Sequence, residues 1–279
     1  MEKTNMKNNK RKARRIIAWL VLGMSICVML LSGFKLRETQ QVYQIGDKSY
    51  QALAERVHRA ALQDPQGLQD TTGTMSGTGK EKEADTETSD TAIDFNALHA
   101  INPDAVAWLY SPGTAIDYPV MRATEYNYYL HHLPDGTYNA NGTLFIDYNW
   151  ADFNDPLTVI YGHNMKSGRM FGSLTGYKKQ AYYNEHPYLY LYTEDGEKYR
   201  IDLIYGCVIG AGQWRDRAFM FKVNLDSLIS YAAYNTTFTS KTQYTKGDRV
   251  VALSTCSYEF DNARYVVLGV LRPEIAEQG

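Results

Sequence analysis

Three side chains in this chain could together carry acyl-transfer chemistry, and each stands where an apolar run ends or begins. Arg249-Val250-Val251-Ala252-Leu253 is β-branched and apolar, the pattern of a buried strand, and it leads through Ser254 and Thr255 to Cys256. A polar loop, Ser257 to Ala263, follows, and Arg264 opens a second apolar run, Tyr265-Val266-Val267-Leu268. Upstream, Leu157-Thr158-Val159-Ile160-Tyr161 reads as another strand and ends in Gly162-His163-Asn164-Met165. Strand ends are rigid platforms for functional loops. A thiol, an imidazole and a guanidinium supply a nucleophile, a proton carrier and a cation for a developing oxyanion.

Each residue also has a plainer reading. Cys256 could be a structural cysteine at a strand end; to attack a carbonyl it must be a thiolate, and a free thiol has a pKa of about 8.5. Positive charge from His163 and Arg264 would favour that form. Histidine suits general acid–base work because its unperturbed pKa is about 6.5, although most histidines after strands are surface groups. Arg264 could be a solvated charge; as a functional group it stays protonated and offers several directed donors. Of the other cysteines, Cys27 lies in an apolar N-terminal run, and Cys207 falls in a strand pattern, where a small buried hydrophobe is the expected role. His58, His99, His131, His132 and His186 match no catalytic element. The pair His131-His132 has no cysteine or carboxylate partner at ligand spacing, so no metal is expected.

Leu253-Ser254-Thr255-Cys256, with Arg264 eight residues later and Tyr161-Gly162-His163-Asn164-Met165 upstream, resembles a sortase, and a class B sortase in particular. The resemblance runs from about residue 92 to residue 272. It implies a cysteine transpeptidase without cofactor, in which His163, Cys256 and Arg264 are catalytic. It also implies that Ser254, and with it Thr255, lines the groove for a sorting signal. Glu259 or Asp261 could position an incoming amine, although loop acids are more commonly solvated charges, and Tyr231 and Tyr234 could touch substrate from a nearby helix. The implied partners are surface proteins bearing a C-terminal sorting signal, cleaved after a Thr, and an amine of a peptidoglycan precursor such as lipid II. An Asn-Pro-x-Thr-Asn-like or a Pro-Pro-x-Thr-Gly-like pentapeptide fits the class equally. A pilin-polymerising class B sortase and a cysteine peptidase that mainly hydrolyses are alternatives, as is an anchored binding barrel with an incidental thiol.

The elements that must position these groups are short. Val106–Tyr110, Ile116–Val120, Thr143–Asp147, Leu157–Tyr161, 249–254 and 264–271 read as strands. Tyr188–Tyr192 and Tyr199–Ile209 read as a hairpin across Asp195-Gly196, a strong turn signal. Short helical pieces are expected at Asp94–Leu98, Tyr126–His131 and Met170–Leu174. Asn224–Tyr234 reads as a helix, with Asn224 as N-cap and Leu225, Leu228, Ile229 and Ala232 on one face. About eight strands without repeated βαβ alternation argue for a mostly antiparallel sheet closed as a barrel. The resemblance implies an eight-stranded sortase-type β-barrel with flanking helices, one of them between strands 6 and 7, where 224–234 falls.

The 279 residues allow one ordinary domain plus appendages. The net charge of −2 offers nothing for nucleic acid. Residues 1–15 carry seven Lys/Arg and one Glu, and residues 16–34 are uncharged. At 1.5 Å per residue that run spans about 28 Å, close to a ~30 Å hydrocarbon core. It reads as an uncleaved signal anchor with a cytoplasmic N-terminus, in preference to a cleaved signal peptide, because no small-x-small site follows. Beyond it, 35–63 reads as a helical stalk or a helix leading towards the domain, and 64–91, rich in Gly, Thr, Ser, Asp and Glu, as a flexible linker. An extracellular catalytic domain over 92–272 and a tail at 273–279 complete the expected layout.

Overall fold

The computed structural model describes residues 2–61, 93–122, 125, 127–146, 153–214 and 224–274. They fall into two compact units, Met1–Lys48 and Ser49–Gly279. The first is helical, the N-terminal part of α1 (Glu2–Ala61). Its apolar side chains, among them Trp19, Leu20, Met24, Leu30 and Phe34, are exposed, and the helix is long and apolar enough to cross a membrane.

The second unit is a closed barrel of eight strands among the described residues. In chain order these are β1 (Ala105–Tyr110), β2 (Asp117–Arg122), β3 (Leu144–Ile146), β4 (Leu157–Tyr161), β5 (Tyr188–Thr193), β6 (Lys198–Gly210), β7 (Val250–Cys256) and β8 (Ala263–Pro273). Around the barrel the order is β1-β2-β3-β4-β7-β8-β6-β5. The expected barrel and its mostly antiparallel pairing are both present. Two neighbouring pairs run parallel, β2 with β3 and β4 with β7, and parallel neighbours need a long crossover. The crossover from β4 to β7 contains β5, β6 and the helix expected between strands 6 and 7 (Leu225–Tyr234). The β5–β6 hairpin turns at Gly196, whose φ of +84° suits a residue without Cβ.

Alternation explains why β7 reads as one continuous apolar run. Val251 and Leu253 pack into the barrel core with Val267 and Leu271 of β8 and Leu203 of β6. Val250 and Ala252 face the other way and pack with Leu228, Ile229 and Ala232 of the helix after β6. A strand covered on both faces has no polar side to show. Cys207 sits in that second cluster, and burial pushes its thiol pKa up to about 12, so it remains an inert, protonated hydrophobe.

Short elements differ in detail from the sequence reading. The first, α2, is Phe95–His99, with Asp94 as its N-cap accepting from the Ala97 N–H. The turns expected near 126–131 and 170–174 are 3-10 helices at Tyr128–Leu130 and Gly172–Lys178. A further helix, α3 (Gln180–Glu185), was not anticipated; of its six residues only Tyr183 is buried, so it leaves no apolar period. The helix at Leu225–Tyr234 is α4. The stretch from Ser49 to Ala61, read as part of a stalk, belongs to the barrel's unit: Tyr50, Leu53 and Val57 are buried in its core clusters. The expected linker 64–91 and the end of the tail lie outside the described residues.

Candidate active site

Two ladder registers bring the chemistry together. The parallel β4–β7 pairing runs from Leu157↔Val250 to Tyr161↔Ser254. Two residues further along each strand stand His163 and Cys256, so parallel pairing carries imidazole and thiol to the same edge. On the other side of β7, the antiparallel ladder ends with Cys256 directly opposite Arg264 on β8. Neighbouring strands lie about 4.8 Å apart, so imidazole, thiol and guanidinium stand in that order at three adjacent strand ends. All three are half-buried and line one cavity of about 600 Å³.

Backbone and side-chain bonds lock this edge. Gly162 N–H donates to the Ser254 carbonyl at 3.2 Å, and Thr255 Oγ1 donates back to the Gly162 carbonyl at 2.7 Å. Asn164 Nδ2 donates to the Cys256 carbonyl at 2.7 Å. Beyond Cys256, the Ser257 N–H donates to the Ala263 carbonyl at 2.9 Å and closes the loop to Arg264. Arg264 Nη1 donates to the Ala263 carbonyl at 3.1 Å, which orients the guanidinium along its own strand end.

His163 Nε2–H donates to the Leu130 carbonyl at 2.7 Å. In the neutral imidazole this fixes the proton on Nε2 and leaves Nδ1 as the nitrogen that can accept one. Burial holds the His163 pKa below its ordinary 6.5; the Leu130 carbonyl opposes that shift, and the neighbouring His131 adds to it. The His131 ring lies 5.9 Å away. The resting imidazole is therefore neutral at pH 7 and takes its proton during the reaction.

The cavity's walls were only partly foreseen. Ser254 and Thr255 line it; Ser254 is 1% exposed and its Oγ has no hydrogen-bond partner among the described residues. Tyr231, Tyr234 and Glu259 are not brought to it. The Tyr231 hydroxyl donates to the Val208 carbonyl at 3.2 Å, and Tyr234 is 90% exposed. Glu259 is engaged by Lys178 and by the Ser257 hydroxyl. Burial works to raise the Glu259 pKa, but those bonds outweigh it and hold the carboxylate below its usual range. Trp214, Phe145 and Tyr161 form apolar wall that the sequence reading does not single out; nor does it give a role to Asn164, which is not among the lining residues and holds the Cys256 carbonyl. Motif adjacency was the available signal for Asn164. Nothing in the sequence marks the Leu130 carbonyl.

No protein-family model matches the chain. Sortase B of Listeria monocytogenes is 31% identical over 179 residues, 62% of this chain and 72% of that protein. Sortase B of Staphylococcus aureus is 26% identical over 183 residues, again 62% and 72%. Among solved structures, Clostridium perfringens sortase B superposes with a TM-score of 0.59 at 29% identity, covering 64% of this chain and 99% of that one. A class B sortase of Streptococcus pyogenes involved in pilus biogenesis gives 0.57 at 28%, covering 64% and 97%. Fold and relatives together define a sortase, a cysteine transpeptidase. Within that class, the chain belongs to the sortase B family.

Proposed function

We propose that the chain is a membrane-anchored transpeptidase that cleaves the C-terminal sorting signal of an exported protein after a Thr and joins the new acyl group to a peptidoglycan amine, with Cys256 as nucleophile. The observation that carries this reading is the order of His163, Cys256 and Arg264 on the adjacent ends of β4, β7 and β8 around one cavity.

Cys256 Sγ gives its proton to His163 and, as thiolate, attacks the scissile carbonyl carbon, and the electron pair of the C=O moves onto oxygen. Arg264 donates to that oxyanion, an interaction strongest in the tetrahedral state. When the pair returns, the C–N bond breaks and the leaving amine takes a proton from His163, leaving a thioester on Cys256 and a neutral imidazole. An incoming amine then attacks the thioester carbon and gives a proton to His163. The C–S bond breaks, the departing sulfur takes that proton from His163, and an amide remains. The apolar N-terminal helix would hold the enzyme at the membrane, with the barrel outside and lipid II as the source of the amine. Ser254 Oγ, buried at the cavity wall and without a partner among the described residues, would bond the bound peptide.

The test is a peptide panel offered to the full chain in detergent, with a wall-peptide amine and a pilin lysine peptide supplied together. The expected outcome is cleavage after Thr and an amide to the wall amine. Preference for the lysine peptide would favour pilin polymerisation; the Streptococcus pyogenes relative is involved in pilus biogenesis. Equal hydrolysis with and without amine would reject the wall-anchoring reading.

A further inference from the structure

The hydroxyl of Tyr50 lies on α1, far from Cys256 in sequence and outside the cavity, yet Tyr50 is only 4% exposed. Its ring packs edge-on against Tyr118, with centroids 5.1 Å apart. The hydroxyl donates to the Gly142 carbonyl at 2.5 Å and lies 2.8 Å from Thr143 Oγ1. Burial drives its pKa well above the ordinary tyrosine range, so it is a permanent hydroxyl.

The segment it holds leads to the imidazole. Thr143 Oγ1 donates onward to the His132 carbonyl at 2.7 Å, and Thr143 N–H donates to the Tyr129 carbonyl at 2.8 Å. Gly142, at φ +57°, packs so closely that a Cβ there would stand 2.5 Å from the Leu130 oxygen and 2.7 Å from the Tyr129 oxygen. That Leu130 oxygen is the acceptor for His163 Nε2–H. Between Asn127 and Thr143 the chain forms only a short 3-10 turn and one isolated bridge, His132↔Tyr138. Its position therefore depends on such polar ties rather than on a strand ladder.

We infer that Tyr50 is a positioning residue for His163: its hydroxyl fixes the 142–143 turn, the turn seats the Leu130 carbonyl, and that carbonyl sets the orientation and tautomer of the imidazole. The inference rests on the reading of His163 as the proton carrier. It makes the helix that precedes the barrel part of the catalytic apparatus. A reacting group misplaced by about 1 Å can cost up to ~10²-fold in rate, and the relay is short enough for one lost hydroxyl to be felt.

The experiment uses the full chain in detergent and compares Tyr50→Phe, which keeps the ring, with wild type. Two quantities are read: kcat and KM for thioester formation, and the proton resonance of the His163 imidazole N–H at neutral pH. Tyr50→Phe is expected to lower kcat by about tenfold or more at unchanged KM and to lose the imidazole N–H signal to solvent exchange. Thr143→Ser, which keeps the second hydroxyl, should retain both. Leu271→Ala, at the far end of β8, serves as a control of lowered melting temperature and should leave the resonance in place. Should Tyr50→Phe fail to fold, Thr143→Val gives the same reading of the resonance. An unmoved resonance, or a wild-type kcat, in folded Tyr50→Phe would overturn the relay even if His163→Ala is inactive. Full turnover by His163→Ala would instead remove the assignment of His163, while the resonance still reports whether the relay exists.

Discussion

Cys256 and Arg264 are eight residues apart and face each other across the last rung of one antiparallel ladder. The loop between them is closed by backbone bonds, Ser257 to Ala263 and Ala263 to Phe260, and is tied from outside by Lys178. His163 stands just past the last paired residue of β4 and is held differently. Its ring answers to the Leu130 carbonyl, in a segment that is itself fastened by a tyrosine from α1. One half of the site is set by local sheet geometry, the other by contacts between parts of the chain remote in sequence. The thiol–guanidinium half should therefore be the less sensitive to changes elsewhere in the chain. The imidazole half should be open to damage from a distance.

The largest effect expected on the local half is that of Cys256→Ala, which should abolish thioester formation and ligation together; the check is product formation with peptide and amine. Arg264→Ala should lower turnover by about 10²-fold, the scale of a lost oxyanion donor, and a loss below twofold would remove Arg264 from the site. Next comes a change on the remote half that touches neither substrate nor thiol. Gly142→Ala places a methyl against the Leu130 oxygen and should lower kcat about tenfold, more than it changes KM, in steady-state kinetics. A smaller effect is expected where the halves meet. Thr255→Val removes the donor to the Gly162 carbonyl, and leaving that buried acceptor unpaired should cost about 1–3 kcal/mol in denaturant unfolding.

The smallest expected effect is on stability against pH. The folded-state pKa of His163 lies below 6.5, its unfolded value, so the unfolded chain binds the proton first on acidification. Above pH 6.5 neither state carries it and there is no penalty; below the folded value both do and the penalty is complete. Stability should thus fall slightly as pH drops through the range just below 6.5. His163→Ala should flatten that part of the curve.

The same division governs how much could be read from residues alone. Val250–Leu253, Cys256 and Arg264 announce a hairpin with chemistry at its end, because antiparallel neighbours are close in sequence and β-branched runs are conspicuous. Gly162-His163-Asn164 marks another strand end, but no pattern states that β4 pairs in parallel with β7, and that pairing is what brings His163 to the thiol. Tyr231 and Tyr234 illustrate the limit for a helix. Spacing identifies α4 and its apolar face, yet it does not reveal that the Tyr231 hydroxyl turns to the Val208 carbonyl while Tyr234 faces solvent. Glu259 was legible as a loop charge, while its partner Lys178 comes from a 3-10 helix far upstream. Leu53 and Val57 gave the right helix, but the barrel that covers them begins beyond a long polar stretch.

The most direct test of the account is to trap the acyl-enzyme. The full chain is incubated with a sorting-signal peptide, quenched in acid, digested and mapped by mass spectrometry, with and without an amine. The predicted result is a peptide thioester on Cys256 that disappears as an amide product forms when the amine is added. An acyl group on another residue, or cleavage of the peptide with Cys256→Ala as fast as with wild type, would contradict it.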